Sequence, residues 1–313
     1  MSKSNLLVVG SDGFLGSNVL RKVENDNSLN VSTISGKNYL DVTDKDLFFK
    51  YMHNNSFDYV INCTAFVGGI SFGYDYPADL LEINTVLANN LYRACMETDV
   101  KLLVNPISNC AYPGSITYYQ EDKFLDGPPH KSVFNYALAK RHMVALGDSY
   151  KSQHNFSSAN VVLSNMYGPN DHFDESRSHA LGALVKKICD AKENSVNEVE
   201  IWGTGKPIRE WLYVEDGAES LIKSLNLEGD SFFFNVGVGK GISIEMMAKK
   251  IATFSEWDGK FIYNTDKPDG VLEKTVDGSK GFELLNWNPS ISLDDGIKLT
   301  VDWYLKYGKQ ERH

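Results

Sequence analysis

Short apolar runs alternate with amphipathic stretches along the first half of the chain. NLLVVG (5–10) is a continuous apolar run that stops at a glycine, the pattern of a strand buried on both faces. FLGSNVLRKVEND (14–26) repeats its apolar positions at helical spacing. VSTIS (31–35) and FDYVINCTA (57–65) predict the next two strands, with a helix over KDLFFKYMHN between them. PADLLEINTVLANNLYRACMETD (77–99) predicts a long helix opening at Pro77, a residue that suits a first turn. KLLVNPIS (101–108) is another strand, a helix runs from FNYALAK to about Gln153, and SSANVVL (157–163) is a strand again. Strands that alternate with helices predict an α/β fold with a parallel, doubly wound sheet.

After Asn165 the pattern loosens. GPNDHFDESRSH (168–179) is rich in turn formers and reads as a loop. A helix follows over about 180–192, then a short strand NEVEIWG (197–203), a helix after Glu215 and a strand FFFNVG (232–237). ISIEMMAKKIATF, KFIYN and a closing amphipathic helix around Leu293–Tyr307 complete a smaller lobe. No repeat, low-complexity segment or long linker separates the lobes, so they are expected to pack together and form a cleft, a common place for ligands.

Composition narrows the partners. The chain has 313 residues, 42% of them hydrophobic, enough for a large core, and a net charge of −10 that disfavours nucleic acid. No stretch approaches the ~20 apolar residues of a membrane span, and MSKSNLLVVG lacks the apolar length of a signal peptide. Cys63, Cys95, Cys110 and Cys189 form no CxxC pair and no metal-like cluster. A cytoplasmic protein with reduced thiols and no bound metal is expected.

GSDGFLG follows the first strand directly and opens the first helix. In that setting Gly10 permits a tight turn, Gly13 lets the backbone approach a pyrophosphate, and Gly16 lets helix and strand pack closely. Asp12, Phe14 and Leu15 complete this cofactor turn, and the anion sits where the helix dipole and free N–H groups favour it. The spacing is GxxGxxG, which suggests a short-chain reductase variant. The second strand does not end in the acid that accepts from the NAD ribose; Ser35-Gly36-Lys37 stands there instead. Lys37 fits a ribose phosphate, which leans to NADPH, and fits a solvated lysine nearly as well. Asp41 and Val42 fit a place near the adenine, although Asp41 equally suits a helix start. Thr64 and Ala65, at the end of the third strand, are placed under the dinucleotide. The sequence thus predicts a Rossmann-type dinucleotide-binding domain over 1–165, with a segment near 205–240 returning to it. Residues 166–313 form mostly a smaller, substrate-binding lobe.

FNYALAK puts Tyr136 and Lys140 one helical turn apart on one face. A nearby ammonium favours a phenolate, so the pair suits proton donation to an oxygen that gains charge. It also suits a plain solvated face, and the spacing alone does not choose. The strand KLLVNPIS runs into SNCAYP, and Ser108 then supplies a third member of a Ser–Tyr–Lys set.

With these residues in hand the chain resembles the extended short-chain dehydrogenase/reductases and, more closely, the GDP-L-fucose synthase family. The resemblance spans nearly the whole chain: GSDGFLG, TAFVGGISFGYDYPADLLEINT (64–85), SNCAYP, YALAK, NMYGPNDHF (165–173), SHALGALVKKICDAK (178–192), IWGTGKPIREWLYVED (201–216) and DKPDG (266–270). It implies that Ser108, Tyr136 and Lys140 are the reductase triad, with Lys140 also holding the nicotinamide ribose. It implies that Cys110 and His179 are an epimerase acid/base pair. Asn165, Lys187, Trp202, Arg209 and Asp269 fall where the family meets its substrate, a GDP-sugar; Arg209 could instead pair with Glu210 or Glu215. The implied activity is NADPH-dependent 3,5-epimerisation and 4-reduction of a GDP-4-keto-6-deoxy sugar by a homodimer. The alternative is action on a related 4-keto nucleotide sugar, such as a GDP-6-deoxy-heptose. The chain departs from the family's usual pattern at Phe66, where a lysine is common, at Glu273, near a usual arginine, and at Asp12, where some members carry an arginine.

Overall fold

The computed structural model describes residues 3–36, 40–173, 178, 180–267, 269 and 271–308. The chain opens with β1 (Ser4–Val9), α1 (Phe14–Val23), β2 (Leu29–Ile34), α2 (Lys45–Asn54), β3 (Tyr59–Asn62), α3 (Ile70–Asp75), α4 (Pro77–Glu97) and β4 (Leu102–Ser108). It continues through β5 (Tyr118–Tyr119), α5 (Phe134–His154), β6 (Ser158–Leu163), β7 (Asn165–Tyr167), α6 (Ala180–Glu193), β8 (Glu198–Trp202), β9 (Ile208–Tyr213) and α7 (Val214–Lys223). The last third holds β10 (Ser231–Val236), β11 (Gly241–Ser243), α8 (Ile244–Ser255), β12 (Lys260–Asn264), β13 (Glu273–Val276), α9 (Ser279–Leu285) and α10 (Leu293–Tyr307).

Six strands form an all-parallel sheet in the order β10-β6-β4-β3-β1-β2. Alternate residues of β1 feed opposite faces, as a strand must. Leu7 and Val9 pack with Phe48 of α2, Leu87 and Leu91 of α4 and Met143 of α5. Leu6 and Val8 pack with Leu15 and Val19 of α1 and Ala218 and Leu221 of α7. This is the expected doubly wound, Rossmann-type sheet, and its order reverses at β1, where β3 lies on one side and β2 on the other. Open α/β sheets bind ligands outside the carboxyl ends of the strands at such a point.

Polar groups also run through the sheet. Asn105 of β4 faces Asn160 of β6 in register. Asn62 Nδ2 donates to Asn105 Oδ1 at 3.1 Å, and the Tyr92 hydroxyl donates to Asn160 Oδ1 at 3.1 Å.

A third core joins α6, α8 and α10 through Val185, Ile188, Met247, Ile251, Ile297 and Val301. Here β8 and β12 pair in parallel. Between the lobes lies a small sheet in the order β11-β9-β13-β5, with β7 paired to β9. The pattern of the chain predicts none of its strands: β5, β7, β11 and β13 have only two to four residues, too few for alternation to stand out, and six-residue β9 carries Arg209 and Glu210 in place of an apolar run. No helix of the described residues is long and apolar enough to cross a membrane.

Candidate active site

The glycine turn lies at the carboxyl ends of β1 and β3. Gly10 has φ +76°, and a Cβ on it would stand 2.8 Å from the carbonyl carbon of Cys63 and from the Thr64 nitrogen. A Cβ on Gly16 would stand 2.1 Å from the Gly10 carbonyl oxygen, so α1 seats directly on the turn. Gly13 is different: a Cβ there would make only an ordinary contact, 3.4 Å from the Gly10 oxygen. Its bareness instead keeps the approach to α1 open. Among the described residues no side chain caps that helix start and no acid occupies its first turn, which leaves its N–H groups free for an anion.

Beside the turn is a cavity of about 410 Å³ lined by Gly10, Ser35, Gly36, Asp41, Val42 and Thr64. Asp41 lines it while its Oδ1 accepts from the backbone and hydroxyl of Thr43 at 2.8 and 2.7 Å. The helix start belongs to Asp44, whose side chain caps α2. Val42 is held by Asn90 Nδ2, which donates to its carbonyl at 2.8 Å. The Thr64 N–H donates to Asn62 Oδ1 at 3.0 Å, and half-buried Ala65 follows. The Asn84 side chain then clasps both backbone groups of Phe66, at 3.0 and 2.8 Å. Phe14 sits half-buried at the head of α1, Leu15 is buried beneath it, and Asp12 is exposed. A bare turn, free helix donors and an adjoining cavity fit a dinucleotide. Lys37 lies outside the described residues.

Ser108 closes β4, and its Oγ accepts the N–H of Cys110 at 3.3 Å, which starts the turn Asn109–Ala111. Hydroxyl and thiol are thereby set on one bend. Lys140 Nζ reaches back from α5, donates to the Pro106 carbonyl of β4 at 3.0 Å and lies 5.6 Å from the centroid of the Tyr136 ring. The end of β4 and the start of α5 are tied at the pair FNYALAK supplies. Burial lowers the Lys140 ammonium to about 8, against the opposing influence of Cys110 and Cys63, so it stays charged at neutral pH. Burial pushes the Tyr136 phenol up, and the Cys110 charge adds to that. This direction is opposite to the depression expected from the lysine alone: desolvation of the phenolate dominates, and Tyr136 is held as a proton donor. The Cys110 thiol is pushed up by burial, while the Ser108 hydroxyl, Lys274 and Lys140 draw it down. Cys63 is pushed up to about 12 by burial. His179 lies outside the described residues.

Facing this group is the small sheet. Lys274 of β13 pairs in register with Arg209 of β9, so both side chains share a face. Burial lowers both cations, and each is sensitive to the groups beside it: Lys274 to Cys110 and Arg209, Arg209 to Tyr119 and Asp269. Among the described residues neither is in a salt bridge. Arg209 pairs with neither Glu210 nor Glu215; it donates to the Ile208 and Asp269 carbonyls at 2.8 and 3.5 Å, while Glu215 meets Arg21 at 3.4 Å. Two half-buried cations that, among the described residues, are in no salt bridge make a favourable site for an anion.

The remaining predicted substrate residues are spread along the same side. Trp202 is 59% exposed, with Lys187 Nζ 5.3 Å and Lys267 Nζ 5.2 Å from its ring centroid. The Asp269 carboxylate is taken up by Thr204, accepting its N–H at 2.7 Å and its hydroxyl at 2.8 Å, which leaves Asp269 shaping the turn behind Trp202. Asn165 Nδ2 donates to the Glu210 carbonyl at 3.0 Å. Sequence reasoning missed Lys274 and Tyr119. Tyr119 is buried, stacks on Tyr112 with centroids 4.6 Å apart, and has a phenol pushed up by burial and by Cys110 but drawn down by Arg209. The two-residue strand that places it carries no periodic signal.

Residues 6–237 match the NAD dependent epimerase/dehydratase family. The chain is 33% identical over 304 residues to GDP-L-fucose synthase 1 of Arabidopsis thaliana, covering 97% of this chain and 94% of that one. It is 31% identical over 303 residues to GDP-L-colitose synthase of Yersinia pseudotuberculosis, covering 96% and 97%. Among solved structures, the GDP-L-fucose synthetase from Naegleria fowleri bound to NADP matches with a TM-score of 0.92 at 27% identity, covering 100% of this chain and 96% of that one.

Proposed function

Because this chain belongs to the NAD dependent epimerase/dehydratase family, we propose that it is an NADPH-dependent epimerase and reductase of a GDP-4-keto-6-deoxy sugar, akin to the GDP-L-fucose synthases it resembles. The observation that carries this reading is the meeting of the Ser108–Cys110 bend with Tyr136 and Lys140, beside a bare glycine turn and opposite two half-buried cations that are in no salt bridge among the described residues. Residues Gly10, Asp12, Gly13, Phe14, Leu15, Gly16, Lys37, Asp41, Val42, Thr64 and Ala65 would hold NADP, with Tyr136 and Lys140 at its nicotinamide end. Arg209 and Lys274 would face the diphosphate, Asn165, Lys187 and Trp202 would build the rest of the GDP-sugar site, and Asp269, held by Thr204, would shape the turn behind Trp202. On this reading, residues 1–165 with the segment near 205–240 serve the cofactor and 166–313 mostly the substrate.

A ketone at carbon 4 acidifies the protons on carbons 3 and 5, because their removal leaves an enolate on the shared oxygen. Cys110 and His179, a thiol and an imidazole with ordinary pKa values of about 8.5 and 6.5, suit removal on one face and return on the other. Ser108 and Tyr136 would hydrogen-bond the enolate oxygen while it carries charge. The hydride to carbon 4 would come from NADPH when it is bound. Tyr136, kept protonated by burial, would give its proton to the oxygen, and the Lys140 ammonium would stabilise the phenolate left behind.

The superfamily resemblance supports a homodimer through the outer faces of α4 and α5, which lie side by side with His142 Nε2 and Asn89 Oδ1 in contact at 2.9 Å. A cytoplasmic setting is consistent with four free thiols. A second reading, action on a related 4-keto sugar such as a GDP-6-deoxy-heptose, is favoured by Phe66. It packs 5.2 Å from Phe72, which packs 4.7 Å from Tyr76, an aromatic group where the resemblance leads one to expect a lysine.

Incubation with GDP-4-keto-6-deoxymannose and NADPH in deuterated water tests the proposal. Cys110→Ser is expected to slow deuterium entry at carbons 3 and 5 by about 10²–10⁴-fold while reduction of an already epimerised ketone survives. Tyr136→Phe is expected to lose reduction. Equal loss of both steps in Cys110→Ser would refute the divided roles, and absence of NADPH oxidation with the native protein would refute the substrate.

A further inference from the structure

We propose that Glu210 is a positioning residue of the nucleotide-sugar site: its buried carboxylate clasps the backbone of two neighbouring segments and so fixes Arg209, Lys274 and Asn165 relative to one another. The inference rests on the reading that Arg209 and Lys274 face the substrate's diphosphate.

Glu210 sits in the middle of the small sheet with no exposed surface. A carboxylate buried there is unfavourable unless its oxygens are occupied. Oε1 accepts the Val238 N–H at 2.6 Å and Oε2 accepts the Val276 N–H at 2.7 Å. Among the described residues no lysine or arginine is in a salt bridge with it. The group therefore binds main chain rather than neutralising a cation. The fit around it is tight: a Cβ on Gly237 would stand 2.2 Å from Oε1.

Each segment that Glu210 touches belongs to the candidate site. Val276 follows Lys274 by two residues on β13, so anchoring its N–H anchors the lysine's strand. Val238 leads from β10 into β11, whose Ile242 pairs with Arg209 on the side opposite Lys274. The Glu210 carbonyl accepts from Asn165. Arg209 is the adjacent residue, and successive side chains of a strand point to opposite faces. Glu210 thus cannot reach the anion that Arg209 would meet; it acts through Arg209. A carboxylate suits this task because both oxygens only accept. An amide of the same shape would turn an N–H₂ group toward one of the two N–H donors and open one side of the clasp.

The test uses Glu210→Gln and, from the other side, Gly237→Ala, which keeps the carboxylate but pushes it away. Titration calorimetry with GDP and with NADPH is combined with steady-state kinetics and thermal melts. Both variants are expected to raise the Kd for GDP and the KM for the nucleotide sugar by about tenfold. The Kd for NADPH and kcat are expected to stay within about twofold. A general loss, in which NADPH binding and kcat fall along with GDP binding, would assign Glu210 a structural role only and overturn the proposal. Unchanged GDP affinity in both variants would overturn it as well. Arg209→Met in the otherwise native protein separates the two layers. If it weakens GDP binding while Glu210→Gln and Gly237→Ala do not, the clasp alone is wrong. If it leaves GDP binding intact, the reading of the cations falls and the role of Glu210 falls with it.

Discussion

On the proposed cofactor side, the working surface is backbone. Gly10, Gly13 and Gly16 act by having no side chain, and the free donors are the first N–H groups of α1. On the proposed substrate side the working surface is side chains, drawn from four elements: Ser108 and Cys110 from the end of β4, Tyr136 and Lys140 from α5, Arg209 from β9 and Lys274 from β13. A backbone cradle within seven consecutive residues needs only local geometry. A side-chain cluster drawn from four elements needs those elements held in register, which is why polar clasps such as Lys140 on Pro106 and Glu210 on Val238 and Val276 gather there.

The backbone side is most vulnerable at Gly10. A methyl group there meets the Cys63–Thr64 peptide and strains a positive φ, so Gly10→Ala is expected to raise the Kd for NADPH by more than about 100-fold. Calorimetry with GDP on the same variant is expected to show less than about a twofold change. If both affinities collapse together, the two sides are one cooperative unit.

A middle-sized effect lies with Lys140, which bridges the sides. Burial sets its ammonium at about 8, below the ordinary lysine value of about 10.4. The charge is present below pH 8 and lost above it, so kcat for reduction is expected to fall about tenfold from pH 7 to pH 9, following the protonated fraction. A profile that stays flat to pH 9 would exclude the ammonium from the step. The linked effect on stability has the opposite slope. Between about pH 8 and 10.4 the unfolded chain binds more protons than the folded one, so folding gains as pH rises, and Lys140→Met should abolish that gain.

The smallest effect sharpens the substrate side alone. Lys274 draws the Cys110 thiol down against burial, so Lys274→Met is expected to slow alkylation of Cys110 by iodoacetamide several-fold at pH 8. NADPH affinity should not move. Unaltered alkylation would remove Lys274 from the neighbourhood of the thiol.

The same contrast explains what the sequence made legible. The strand–helix alternation through β6, the glycine turn and the Tyr136–Lys140 spacing are local patterns, and each is visible in a window of a few residues. The small sheet is not: β5 has two residues and β7 and β11 three each, and their meaning comes from partners far along the chain. Arg209 could be singled out beside two carboxylates, but only the fold shows that it turns to the Ile208 and Asp269 carbonyls and lies beside Lys274. Tyr136 shows the limit of reading spacing as electrostatics, since neighbours one turn apart set the charge and burial sets the balance. Asp269 looked like a ligand-facing acid, and the turn at Thr204 claims both of its oxygens.

The row of amides across the middle of the sheet has a consequence for assembly. Hydrophobic strands such as β3, β4 and β6 could slide past one another with little loss of apolar contact. Asn62, Asn105, Asn160 and the Tyr92 hydroxyl meet one another in only one alignment. A shifted pairing would strand buried amides against valine and leucine, at a cost of about 1–3 kcal/mol for each orphaned group. The row therefore works as a proofreading key for the folding chain: it rejects near-miss stackings of the central strands, and with them any arrangement in which the Gly10 turn and the Ser108 bend would fail to open onto the same mouth.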